Sequence, residues 1–184
     1  MLVLASASPR RQELLRNAGI SFVVQAADVP ETLQAGEGPR AFAERLAREK
    51  ALAVSGQRPG DIVLGADTVV VVDSHILGKP RDDADAARML RLLSGRSHQV
   101  ITGVCLTGAA FEDVRSETTA VTMSAFDAGE IEDYIATREP MDKAGAYAIQ
   151  GMASRWVTRI EGDYFNVVGL PAALVWRMLR EHGA

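Results

Sequence analysis

The 184-residue chain has one cysteine, Cys105. That excludes an internal disulfide and a multi-cysteine metal site, and it fits a reducing, cytoplasmic setting. Aromatic residues make up only 5%, and 20 Lys and Arg face 24 Asp and Glu, for a net charge of −4. A nucleic-acid reader needs a basic surface or stacking platforms, so nucleic acid is not an expected partner. The three histidines, His75, His98 and His182, are scattered. They support neither a histidine metal cluster nor a Ser-His-Asp triad. No apolar run approaches the ~20 residues of a membrane span. The apolar start precedes Arg10 and Arg11, the reverse of a signal peptide, and reads as a first strand. Phosphate-loop and nucleophile-elbow motifs are missing, since Pro80 follows Lys79 and no G-x-S-x-G occurs. Gly36–Ala41 matches G-x-G-x-x-A but follows a loop instead of a strand, so the dinucleotide context fails.

Hydrophobic residues make up 47% and charged residues 24%. That suffices for a full core and argues against disorder. One domain over residues 1–184 is expected. Residues 2–5 read as a short buried strand. Ser8 caps the next helix, with Pro9 at its first position and Gly19 at its end. Residues 21–25 read as a strand and 28–39 as a loop. A helix over 40–55 places Ala43, Leu46, Lys50 and Ala53 on one face, so Lys50 is a cation beside an apolar stripe. A strand at 62–64 runs into Gly65-Ala66-Asp67-Thr68, and 69–72 stay extended. Asp82 caps a helix that ends before Gly95. Residues 97–107 and 116–123 alternate as strands. Asp127 and Glu130 form a capping box. Residues 156–160 and 164–168 read as a hairpin about Gly162-Asp163. Pro171 opens a last helix. This alternation predicts an α/β fold with a mixed sheet. Cys105 reads as a core residue.

Four segments carry chemistry, each with an ordinary alternative. Ser6-Ala7-Ser8-Pro9-Arg10-Arg11 joins a strand to a helix start, where free N–H groups favour an anion. Two arginines in a first turn oppose the helix dipole at about 0.3–1 kcal/mol each, and a bound polyanion would reverse that. The alternative is a capped helix with solvated arginines. Asp67 follows an apolar strand among small residues, suiting a metal ligand or a general base, or else a turn cap. Lys50 and Lys79 need a counter-anion if buried, supplied by phosphate or by Glu31 or Asp67; otherwise they face water. In the run Asp142–Gly151, Gln150 presents an amide with donor and acceptor suited to a base edge, or is a plain surface amide.

Taken in order, Leu4–Arg11, Leu46–Ala51, Gly65–Thr68, Gly78–Pro80, Leu93–His98, Asp142–Gly151 and Val168–Pro171 resemble the Maf family across nearly the whole chain. The resemblance implies an elongated α/β fold related to the inosine-triphosphate pyrophosphatases, with two lobes and a cleft. It implies a nucleoside triphosphate pyrophosphatase using a divalent metal, Mg²⁺ or Mn²⁺, and a homodimer. Asp67 takes the position of the proton acceptor, and Arg10, Thr68 and Gln150 take positions linked to substrate choice. Arg10 with the Ala148–Gly151 form is similar to the branch acting on dTTP and UTP, not the one hydrolysing 7-methyl-GTP. The nearest rival is the same chemistry on another modified nucleotide such as 7-methyl-GTP. Some members are associated with cell-division arrest, so a non-enzymatic nucleotide-binding regulator is the rival of a different class. One departure stands out: Pro30 replaces a carboxylate often found just before Glu31. A metal role there falls on Glu31 alone.

Residues and resemblance meet in one expectation. Ser8, Arg10, Arg11, Lys50 and Lys79 gather the triphosphate, with Thr68 and Gln150 setting substrate choice. Metal bridges phosphate oxygens to Asp67 or Glu31. Asp67 orients or deprotonates the water that attacks the α-phosphorus.

Overall fold

A computed structural model describes residues 1–183. The chain runs β1 (Leu2–Leu4), α1 (Pro9–Asn17), β2 (Val23–Val24), α2 (Pro39–Ser55), β3 (Ile62–Val72), β4 (His75–Leu77) and α3 (Asp83–Leu93). It continues with β5 (Ser97–Gly108), β6 (Phe111–Met123), α4 (Ala128–Ala136), β7 (Val157–Glu161), α5 (Tyr164–Val168) and α6 (Ala172–Glu181). Three short 3₁₀ turns at Glu139–Asp142, Ala144–Ala146 and Met152–Trp156 separate α4 from β7. The strands form a seven-stranded sheet in the order β2-β1-β3-β5-β6-β7, with β4 added against β3. β1 is parallel to β2 and β3, whereas the β3–β4 and β6–β7 pairs are antiparallel. The sheet is therefore mixed and the fold α/β, as the sequence pattern predicts. No helix of the described residues is long and apolar enough to cross a membrane.

The chain divides into two compact units. The first holds Met1–Thr68, Thr102–Glu117 and the segment from Gly169 on; the second holds Val69–Ile101 and Thr118–Val168.

In the first unit, Val3, Ala5, Ala47, Ala51, Val54, Val63 and Cys105 form a buried core. Cys105 is fully enclosed, and burial pushes its thiol up to about 12, so it is an inert apolar filler. α2 lies in backbone contact with the sheet at two glycines. A Cβ at Gly65 would overlap the Ala47 carbonyl oxygen and lie 2.7 Å from Ala51 N. A Cβ at Gly103 would overlap the Ala43 carbonyl. The buried stripe of α2 is Phe42, Ala43, Leu46, Ala47, Lys50, Ala51 and Val54. Ala53, expected on that face, is exposed. At 3.6 residues per turn, eleven steps from Ala43 return to within roughly 20° of it, whereas ten miss by about 80°.

In the second unit, β3 turns into β4 through Asp73 and Ser74, both with positive φ (45° and 69°), the geometry of a tight hairpin. Asp82 caps α3, and Asp127 with Glu130 forms the capping box of α4. One expectation fails: residues 164–168 form α5 instead of a second hairpin strand. The Asp163 carboxylate accepts from the backbone N–H of Phe165 (2.7 Å) and Asn166 (3.3 Å), which starts a helical turn. The buried Asn166 side chain then donates to Val100 O and Thr119 Oγ1. β6 also starts five residues earlier than its alternation suggests, at Phe111.

Candidate active site

The first unit brings most of the expected residues together. β1 ends at Ala5, whose N–H bonds Leu64 O on β3, so the turn into α1 starts beside the strand that carries Asp67. Ser8 caps α1, accepting from Arg11 N at 3.5 Å, and its own N–H donates to Ser6 Oγ. Arg11 then turns inward. Its Nε donates to Gly169 O (2.8 Å), one terminal nitrogen to Ser6 Oγ (3.2 Å) and the other to Thr68 Oγ1 (3.1 Å). Thr68 Oγ1 lies 2.9 Å from Thr102 Oγ1. Arg11 thus ties the α1 turn to β3 and to the segment before α6, and Thr68 in turn bonds Thr102 on β5. Arg10 is half-buried.

Lys50 and Asp67 form the buried centre. They are 8% and 7% exposed, and Lys50 Nζ lies 2.6 Å from Asp67 Oδ1. The same Nζ reaches Glu31 Oε1 at 2.7 Å, so one ammonium bridges two carboxylates. The approach of α2 over Gly65 permits this, since the helix could not sit so near β3 over a larger residue. Glu31 is exposed, but its loop is clamped to α2. Arg45 donates to both Glu37 oxygens (2.6 and 2.8 Å), to Thr32 O (2.9 Å) and to Glu49 (3.0 Å). The sequence reading missed Arg45; its spacing to Glu49 was the available sign.

Burial lifts the Asp67 carboxyl above the usual carboxylate range, while Lys50 and Arg11 draw it back and Glu31 adds to the lift. Arg11 is lowered, first by burial; Asp67 and Glu31 oppose this and Arg10 reinforces it. The two arginines and two carboxylates therefore share one field. A carboxylate of raised basicity, kept near cations in a largely dry place, can accept a proton from water. Among the described residues, no group of three or more His, Cys, Asp or Glu is arranged to hold a metal ion.

Lys79 and Gln150 belong to the second unit, and both are exposed there. Gly145 N–H bonds Gly78 O at 3.0 Å, tying the Lys79 turn to the run that carries Gln150. Gly145 needs its positive φ (70°), and a Cβ there would meet Val70 at 2.9 Å. Two further residues of that unit, Tyr134 and Glu139, bond the run around Gln150 and escaped the sequence reading.

The family model described as Maf-like protein matches residues 1–182. The chain belongs to this family. Maf-like relatives named dTTP/UTP pyrophosphatase cover almost all of it. The protein of Koribacter versatilis is 63% identical over 182 residues, covering 99% of this chain and 94% of its own length. That of Symbiobacterium thermophilum is 54% identical over 182 residues, at 99% and 94%. That of Geobacter sulfurreducens is 52% identical over 185 residues, at 100% and 97%. Among solved structures, the Ham1 protein of Staphylococcus aureus aligns over 66% of this chain and 71% of its own at 16% identity and a TM-score of 0.41.

Proposed function

We propose that this Maf-like chain hydrolyses dTTP and UTP to the nucleoside monophosphate and pyrophosphate, with Asp67 as general base. The observation that carries the reading is the buried Asp67 carboxylate held 2.6 Å from Lys50 Nζ in the field of Arg11. The names of its full-length relatives supply the substrates.

Asp67 orients a water and takes its proton as the water oxygen bonds to the α-phosphorus. The bond from that phosphorus to the bridging oxygen breaks, and pyrophosphate leaves with the electron pair. Lys50 opposes the rise that burial imposes on the Asp67 carboxyl and adds positive charge where phosphate oxygens gather. Arg10 and Ser8 contribute at the start of α1. Arg11 spends three of its five N–H groups on protein, leaving two for phosphate while it fixes Thr68. Lys79 supplies a further cation and Gln150 an amide for the base. Thr68 and Arg10 share in substrate choice.

Glu31 and Asp67 would hold the Mg²⁺ or Mn²⁺ that the family resemblance implies: both offer hard carboxylate oxygens, and Lys50, 2.7 and 2.6 Å from them, brings the two to one place beside which the ion would bind. Two carboxylates with phosphate oxygens and waters are what Mg²⁺ ordinarily takes. Bound there, the ion would neutralise charge building on the phosphates. The cytoplasmic homodimer and a role in clearing non-standard pyrimidine nucleotides complete the reading, with the whole chain acting as one enzyme domain.

The test is a panel of dTTP, UTP, CTP, GTP and 7-methyl-GTP with Mg²⁺ or Mn²⁺ in ¹⁸O-water. Pyrophosphate from dTTP and UTP, with ¹⁸O in the monophosphate, supports the proposal. Orthophosphate, or preference for 7-methyl-GTP, overturns it. Nucleotide binding without any turnover favours the regulator instead.

A further inference from the structure

Gln150 sits between two backbone anchors held by side chains from elsewhere in the second unit. Two residues before it, Ala148 N–H donates to Tyr134 Oη at 3.0 Å. Two residues after it, Met152 N–H donates to the Glu139 carboxylate, 3.1 and 3.3 Å from its two oxygens. The anchors are joined, because Tyr134 Oη donates to Glu139 Oε1 at 2.7 Å. One hydroxyl and one carboxylate thus hold both ends of the five residues centred on Gln150.

This clamp is rigid at its base. Tyr134, on α4, is fully buried. Its ring meets Trp156 edge-on at 5.2 Å, and Trp156 stacks on Phe126 at 4.2 Å and donates from Nε1 to Glu130. Burial, with the neighbouring Glu139 carboxylate, raises the Tyr134 hydroxyl well above its ordinary value, so it remains a donor at neutral pH. Space for Glu139 exists only because residue 151 is glycine, where a Cβ would overlap the carboxylate. The glycine that permits the clamp would otherwise loosen the chain beside Gln150. The clamp restricts it again.

We infer that the Tyr134–Glu139 pair is a positioning device for base selectivity, fixing the backbone on either side of Gln150 so that its amide meets the base in one orientation. This rests on the reading of Gln150 as the residue that contacts the base. An amide on a mobile loop would bond several base edges about equally well; one on a fixed loop rejects the mismatched edge, because its polar groups are left unpaired.

The test uses the full-length enzyme with Tyr134→Phe, Glu139→Ala, Glu139→Gln, Gln150→Ala and the double variant Tyr134→Phe/Gln150→Ala. The readout is kcat/KM for dTTP, UTP, CTP and GTP beside the melting temperature. Tyr134→Phe keeps the ring and loses both bonds. It should lower discrimination between preferred and poor nucleotides about five-fold, with a smaller loss in kcat for dTTP. Glu139→Gln, which keeps an acceptor, should restore part of what Glu139→Ala loses. In the Gln150→Ala background, Tyr134→Phe should lower discrimination no further. If Gln150→Ala relaxes the ranking but Tyr134→Phe lowers only the melting temperature, the pair is purely structural and the inference is wrong. If Gln150→Ala itself leaves the ranking unchanged, the base-contacting role fails and the inference falls with it.

Discussion

Replacing Lys50 with Met would keep most of the side-chain length and remove the charge between Asp67 and Glu31. Glu31 has 45% of its side chain exposed, so water compensates it and its bond to Lys50 adds little. Asp67 has no such relief at 7% exposure. Breaking one side of a buried pair costs about 3–5 kcal/mol, on the order of 10 °C in Tm for a chain of this size. The cost depends on pH. Burial already holds the Asp67 carboxyl above its ordinary value, and loss of Lys50 raises it further. A carboxyl raised in the folded state favours folding when protonated. The Lys50→Met penalty is therefore full above that raised value and shrinks as pH falls towards the unfolded one. Urea unfolding at pH 8 and pH 5 should show the gap to wild type narrowing on acidification. The acidic limb of kcat/KM should move to higher pH, because the base must be ionised to act. Asp67→Asn added to Lys50→Met should recover part of the stability. A Lys50→Met protein within 1 kcal/mol of wild type at pH 8, or a gap that does not change with pH, would refute this account of the pair.

Gly65→Ala should destabilise by about 3 kcal/mol and lower activity, since its Cβ would push α2 off β3 and separate Lys50 from Asp67. Gly56→Ala, with open space around it, is the control that should keep the wild-type Tm in the same melting series. His98 is buried, and burial lowers its pKa to about 4, whereas the unfolded chain titrates near the model-peptide value of about 6.5. Folded His98 therefore stays neutral where the unfolded chain protonates. Stability that is complete above about pH 6.5 should fall by about 3 kcal/mol as pH drops towards 4. His98→Gln should flatten that limb of a Tm-against-pH curve, and an unchanged limb would mean other groups cause it.

What the sequence made legible was largely local. The caps at Ser8, Asp82 and Asp127 stand within three residues of the N–H groups they serve, and the structure has all three. Lys50 showed as a cation on an apolar stripe, which by itself demanded a counter-charge. The candidates named for that counter-charge, Glu31 and Asp67, are its partners in the structure. Other features depend on distant partners. Arg11 looked like a free phosphate ligand, yet its acceptors include Thr68 and Gly169, 57 and 158 residues away. Gly103 gave no sign that α2 rests on it. Residues 164–168 are rich in the strand-forming types Tyr, Phe and Val, and only the Asp163 cap turns them into a helix. Tyr134 and Glu139 are five residues apart, but their joint grip on the backbone at Ala148 and Met152, either side of Gln150, appears only when the chain returns to them.

The most direct test is single-turnover hydrolysis of dTTP by Asp67→Asn, with dTTP affinity measured on the same protein. The amide keeps the shape of the side chain and removes its basic oxygen. Turnover should fall about 10²–10⁴-fold, with affinity within a few-fold of wild type. Turnover close to that of the wild type would show that Asp67 is not the base.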